Sequence, residues 1–150
     1  MTSISPFFWR RRIGMRDVDA WGVVWHGNYF VYCDEARSEL LRAFELAPGS
    51  FASRGYLAPV VDAQCRFTAP ARYDEEIDVL VKLSLGRGTR VCSDFTIRRT
   101  HDQKLVAQIS TTQVLVKTSG ELVYFIPDEL KQLFERMLAA QAMQTAPREP

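Results

Sequence analysis

Asp17 and Asp19 stand two apart in the stretch MRDVDAWGVVWHGNYF, Met15 to Phe30. Gly22 follows, then His26, and then residues that read as a helix. Acids, a turn and a helix start can do three kinds of chemistry. They can bind a metal ion, serve a nucleophilic triad, or hold a reagent carboxylate beside a helix N-terminus.

The metal reading fails on ligand types. Asp17-x-Asp19-x-x-Gly22 has the opening rhythm of a calcium loop, but Trp21 and Asn28 occupy positions that need an oxygen-rich ligand and a bidentate glutamate. His26 and His101 are the only histidines, with no cysteine near either in sequence, so zinc has no ligand set. No metal and no cofactor are expected. The triad reading fails as well, because no G-x-S-x-G is present. Cys33 falls on the apolar stripe of the following helix, which makes it a core residue. Gly86 to Gly88 reads as a hairpin turn and not as a phosphate loop.

The third chemistry survives. The first turn of a helix has unpaired N–H groups and a partial positive charge, and both stabilise an oxyanion. A carboxylate held nearby stays ionised and can attack a carbonyl carbon or activate a water. Asp19 would be that carboxylate, the amides near His26 to Asn28 the donors, and Gly22 the residue that lets the chain turn back between them. On residue type alone, a plainer reading is favoured over this one: both aspartates merely stabilise a turn.

Several elements must position such a loop. FFWRRRIGMR reads as a first strand, with Phe7, Trp9, Arg11, Ile13 and Met15 on one face. Asn28 is placed to cap a helix through NYFVYCDEARSELLRAFEL, roughly 28 Å long, that ends at APGS. Tyr29, Cys33, Ala36, Leu40 and Ala43 or Phe44 share its stripe, while Asp34, Arg37, Ser38 and Arg42 lie elsewhere. Strands follow in YLAPVVDAQCRFTAP, EEIDVLVKLSLGRG, TRVCSDFTIRRT, LVAQISTTQVLVKT and a short return, LVYFI, joined as hairpins. Pro127 opens a last helix with Leu130, Leu133, Phe134, Met137 and Leu138 on one stripe. This predicts a single domain over 1–150, with a core of about 7–140 and a frayed tail over 141–150. One helix cannot cover all the apolar strand positions, so a partner subunit is expected.

Composition narrows the classes further. Hydrophobic residues make up 47% of the 150-residue chain, enough for a real core. The net charge of +1 excludes nucleic-acid binding by bulk electrostatics. Arg10, Arg11 and Arg12 alternate faces on a strand and cannot form one patch. Cys33, Cys65 and Cys92 read as buried thiols of a reducing compartment. No signal-peptide run and no membrane-length apolar segment occurs, so a cytoplasmic protein with no membrane partner is expected.

The stretch DVDAWGVVWHGNYFVYCDEARSELL resembles the signature of the 4-hydroxybenzoyl-CoA thioesterase and YbgC-like acyl-CoA thioesterases, which have the hotdog fold. Asp17, Asp19, Ala20, Gly22, Trp25, His26, Asn28, Tyr29 and Glu35 to Arg37 carry it, and FTAPARYDEEIDV is similar to a second family block. The resemblance implies an α+β fold: a five- or six-stranded antiparallel sheet wrapped around one long central helix, with a C-terminal helix added. It implies a homodimer joined sheet edge to sheet edge, assembling further as a homotetramer, with the active site at the dimer interface. It makes Asp19 the nucleophile or general base on an acyl-CoA thioester, and the backbone N–H of His26 the group that polarises the carbonyl. Gly22, Trp21, Tyr29, Arg87 and Arg90 would bind substrate, the arginines through coenzyme A phosphates, while Asp17 would shape the loop. Trp21 departs from the family pattern, which has a small residue there. An acyl-carrier-protein thioesterase and a non-catalytic acyl-CoA-binding module are the alternatives. A hydratase is disfavoured, because HGNY lacks the Pro-Gly of that pattern.

Overall fold

The structure, a computed structural model, describes residues 5–145. Its elements run β1 (Phe8–Arg12), α1 (Asn28–Ala43), α2 (Pro48–Ser53), β2 (Tyr56–Leu57), β3 (Val60–Phe67), β4 (Glu76–Leu85), β5 (Arg90–Arg99), β6 (Leu105–Val114), β7 (Val116–Lys117) and α3 (Asp128–Thr145). Five strands form one antiparallel sheet in the order β1-β4-β5-β6-β3, and β2 pairs with β7 separately.

Alternation sets the inner face. Ile77, Val79, Val81 and Leu83 on β4 are buried, as are Val91, Ser93, Phe95 and Ile97 on β5. They meet the α1 stripe of Tyr29, Cys33, Ala36 and Leu40, also buried. Each buried Val, Leu, Ile or Phe among them contributes about 1.5–3 kcal/mol relative to exposure. Leu130, Phe134 and Met137 of α3 join this core, and Phe134 meets Phe51 of α2 with ring centroids 6.2 Å apart. The α+β arrangement of one long helix, a five-stranded antiparallel sheet and a C-terminal helix is the one expected.

Several details differ. Helix α1 stops at Ala43, because Glu45 adopts a positive φ of 61°. APGS does not only end it: Pro48 starts the short helix α2. Strand β3 forms no hairpin with β4 but pairs with β6, so the link after Phe67 carries the chain across to the β1 side. Alternation identifies a strand and not its neighbour. LVYFI is not a strand: only Leu122 makes an isolated bridge, to Val116, and Leu122, Tyr124 and Phe125 are exposed. Met15 leaves β1 for a 3-10 turn and is exposed. Pro127 precedes the first turn of α3, its carbonyl accepting Lys131 N–H at 2.8 Å. Residues 141–145 continue α3, and the rest of the expected tail lies outside the described residues.

Arg37, placed by periodicity off the apolar stripe, is 7% exposed. Its guanidinium donates to Thr111 Oγ1 at 2.9 Å and lies over Phe95. Cys33 is buried, but Cys65 and Cys92 are only half-buried, and all three are free thiols. Burial pushes the Cys33 thiol pKa up. Among the described residues no helix is long and apolar enough to cross a membrane. Strand β3 lies at the edge of the sheet and is exposed along almost its whole length.

Candidate active site

The loop between β1 and α1 is a tight hairpin-like turn. Asp19 N–H donates to Val23 O at 2.9 Å, Gly22 N–H donates to Asp19 O at 3.0 Å, and Val18 bridges to Val24. Gly22 adopts φ 74°, a conformation that a residue with a Cβ rarely takes, so the turn depends on it. The sequence reading of Gly22 therefore holds as geometry.

This turn delivers the Asp19 side chain half-held. One carboxylate oxygen, Oδ1, accepts the Trp21 N–H at 2.8 Å. The other has no hydrogen-bond partner among the described residues. Asp19 lines a cleft of about 360 Å³ together with Val24, His26, Tyr29, Phe67 and Pro70.

The start of α1 borders the same cleft. Gly27 is the helix cap and Asn28 the first helical residue, so Asn28 is not the capping residue expected. Its side chain reaches back instead, Nδ2 donating to Asp17 O at 2.8 Å. Trp25 N–H also donates to Asp17 O, at 2.9 Å, and Asn28 N–H donates to Trp25 O, at 2.9 Å. The main-chain N–H groups of His26 and Gly27 have no hydrogen-bond acceptor among the described residues. The donors expected somewhere between His26 and Asn28 thus narrow to the first two.

Aromatic rings wall the cleft. The exposed His26 ring stands edge-on to Phe67 at 6.3 Å, and Phe67 lies 5.6 Å from Tyr29. Burial pushes the Tyr29 hydroxyl pKa up to about 12, despite an opposing hydrogen bond to the Ala71 backbone, so it stays protonated. The Trp25 indole folds over Gly27, where a Cβ would come within 2.2 Å of the ring. Only glycine admits that stacking.

Asp19, His26 and Tyr29 are therefore brought together, as expected. Trp21 contributes its backbone N–H to Asp19, while its side chain is 84% exposed. Arg87 and Arg90 are not at the cleft within one chain. Arg90 pairs with Val114, whereas Phe67 pairs with Ala107 and Ala107 with Ile97. Those two levels lie roughly 23 Å apart along β5, at about 3.3 Å per residue. Glu35 is engaged by Arg11 at 2.6 Å and does not line the cleft. Phe67 to Pro70 line it without having been singled out as site residues. Their only signal was the FTAP of the second sequence block.

The thioesterase-like superfamily matches residues 13–134. An Aquifex aeolicus protein provisionally named an esterase is 32% identical over 87% of this chain and 98% of its own. The acyl-CoA thioester hydrolase YbgC of Escherichia coli is 30% identical over 55% of this chain and 62% of its own. The solved structure of a 1,4-dihydroxy-2-naphthoyl-CoA thioesterase from Synechocystis is 24% identical, covering 89% of this chain and 95% of that one. It superposes with a TM-score of 0.79 and carries the same hotdog fold.

Proposed function

The chain belongs to the thioesterase-like superfamily, and we propose that it hydrolyses acyl-CoA thioesters to a free acid and coenzyme A, with Asp19 as the reacting carboxylate. The observation that carries this reading is an open Asp19 oxygen in the same cleft as His26, whose N–H is open, with the open N–H of Gly27 next in the chain. A thioester carbonyl oxygen would accept from the amides, which places charge stabilisation where the tetrahedral intermediate develops it. Asp19 then acts on the carbonyl carbon in one of two ways. As a nucleophile, it forms an acyl–aspartyl anhydride, the C–S bond breaks, the thiolate takes a proton, and water hydrolyses the anhydride. As a base, it takes a proton from a water whose oxygen attacks the carbon directly, and the tetrahedral intermediate then collapses with cleavage of the C–S bond, the thiolate taking a proton. Multiple-turnover hydrolysis in ¹⁸O-water separates the routes, since only an anhydride opened by water at its aspartyl carbonyl leaves label in Asp19.

The cleft is open to solvent on one side, and a second copy of the chain is proposed to close it. Strand β3 presents an unpaired edge, the usual template for another strand. A two-fold axis that extends the sheet with both α1 helices on one face pairs β3 with its copy antiparallel. The Val60 end of each β3 then meets the Phe67 end of the other. The same operation brings the Arg87 and Arg90 end of the partner towards this cleft, where the arginines would meet coenzyme A phosphates. A homodimer, associating further as a homotetramer, is the proposed assembly.

Thiol release from a panel of acyl-CoAs by wild type and Asp19→Asn tests the reading. Hydrolysis by wild type and its loss in the variant support it; equal rates overturn the role of Asp19. Tight acyl-CoA binding by wild type without thiol release would favour a binding module instead. Faster turnover of acyl carrier protein substrates would favour the biosynthetic alternative.

A further inference from the structure

Asp17 is the buried acid of the loop, 5% exposed. Its carboxylate Oδ2 accepts the Gly14 N–H at 2.9 Å and lies 3.4 Å from Arg11 Nη2. Arg11 also donates to Glu35 Oε2 at 2.6 Å, and its guanidinium sits over the Tyr32 ring, 5.0 Å from the centroid. The Tyr32 hydroxyl, buried beside Asp17, makes no hydrogen bond of ordinary geometry. One guanidinium thus ties β1, the 3-10 turn and α1 together.

The main chain of Asp17 does something separate. Its carbonyl oxygen accepts two hydrogen bonds, from Trp25 N–H at 2.9 Å and from Asn28 Nδ2 at 2.8 Å. These two donors bracket His26 and Gly27, the residues with the open amides. Both ends of that short span therefore hang from a single oxygen, and the side chain of the same residue is clamped by Gly14 and Arg11.

We propose that Asp17 is a positioning residue that aims the His26 and Gly27 amides at the substrate carbonyl, with Arg11 as its anchor. The proposal rests on the oxyanion role given to those amides above. Asp17 itself touches no substrate, because its carboxylate is buried and Asp17 does not line the cleft. Removing its charge frees Arg11 to pair with Glu35 alone. The 3-10 turn then loosens, and the carbonyl that holds Trp25 and Asn28 shifts with it. Hydrogen bonds weaken steeply with misalignment, so polarisation of the carbonyl suffers more than binding of the rest of the substrate.

The test joins kinetics with spectroscopy. Asp17→Asn should lower kcat by about 10- to 100-fold, the scale of a misplacement near 1 Å, with KM changed by less than about threefold on the same argument. A thioester ¹³C-labelled at its carbonyl, bound to Asp19→Asn, should show an infrared carbonyl band below that of free substrate. In the Asp17→Asn/Asp19→Asn double variant the band should move back towards the free value. Arg11→Gln, which unclamps the same carboxylate while leaving Asp17 in place, should give the same split if Asp17→Asn does not fold. Unchanged kcat in the folded variant, or an identical band in the single and double variants, overturns the proposal. Failure of the underlying oxyanion reading shows separately, as a carbonyl band in Asp19→Asn that already lies at the free-substrate value.

Discussion

Asp78 and Asp19 are two aspartates held in opposite ways. Asp78, on β4, accepts hydrogen bonds from Arg10 Nε at 2.7 Å, Thr100 Oγ1 at 2.8 Å and Gln103 Nε2 at 3.1 Å. Burial opposes its ionisation, but these donors outweigh burial and hold its carboxyl below the ordinary carboxylate range. Asp19 keeps one oxygen on the Trp21 amide and leaves the other to the cleft. A saturated carboxylate is committed to the fold, whereas a half-held one is oriented yet retains a lone pair for a reactant. Asp17 stands between the two, buried like Asp78 but placed where its backbone carbonyl holds Trp25 and Asn28.

The largest expected effect separates the two acids. Asp19→Asn should lower kcat/KM by at least about 10²- to 10³-fold, as loss of a group acting in the transition state does, while thermal unfolding stays where it was. If it unfolds the protein instead, Asp19 belongs with Asp78. Gly27→Ala comes next. Its methyl collides with the Trp25 indole, so the open amides shift and kcat/KM should fall about tenfold. Tryptophan emission should change with it, and unchanged emission would mean that the indole does not rest on Gly27.

Asp78→Asn should reverse the pattern. Leaving the Arg10, Thr100 and Gln103 donors badly matched costs about 1–3 kcal/mol of stability, with the activity of the folded fraction unchanged. Its pH dependence has a definite sign. Asp78 has a folded value below its unfolded one, so its contribution is complete above about pH 4 and fades as pH falls through the folded value. Denaturation of wild type and Asp78→Asn should therefore converge as pH drops below about 4; a gap that widens there would refute the saturated-acid account. The smallest effect concerns the far end of the sheet. Arg87→Ala with Arg90→Ala should raise KM for acyl-CoA a few-fold, and the difference should shrink in high salt. A cleft served by one chain alone predicts no change in KM.

The loop was legible because its interactions are local. Gly22 needs its positive φ for a turn closed by Asp19 and Val23, and all the residues concerned lie within a few positions. Which amides stay open was not legible. That depends on Asn28 turning its side chain to Asp17 instead of capping the helix. Neither was the saturation of Asp78, whose partners Arg10, Thr100 and Gln103 come from distant parts of the chain.

By itself the sequence determined the strands and helices that alternation and periodicity mark, and the acid–glycine–helix order of the loop before α1. Those depend on side-chain direction within an element and on turn geometry, which neighbouring residues set. The tertiary structure alone decided that β3 leaves β4 for the edge beside β6, that Arg37 is buried against Thr111 and Phe95, and that Arg87 and Arg90 stand far from Asp19 in their own chain. Each of these depends on contacts between residues remote in sequence, where local preference is silent and packing and hydrogen-bond satisfaction choose.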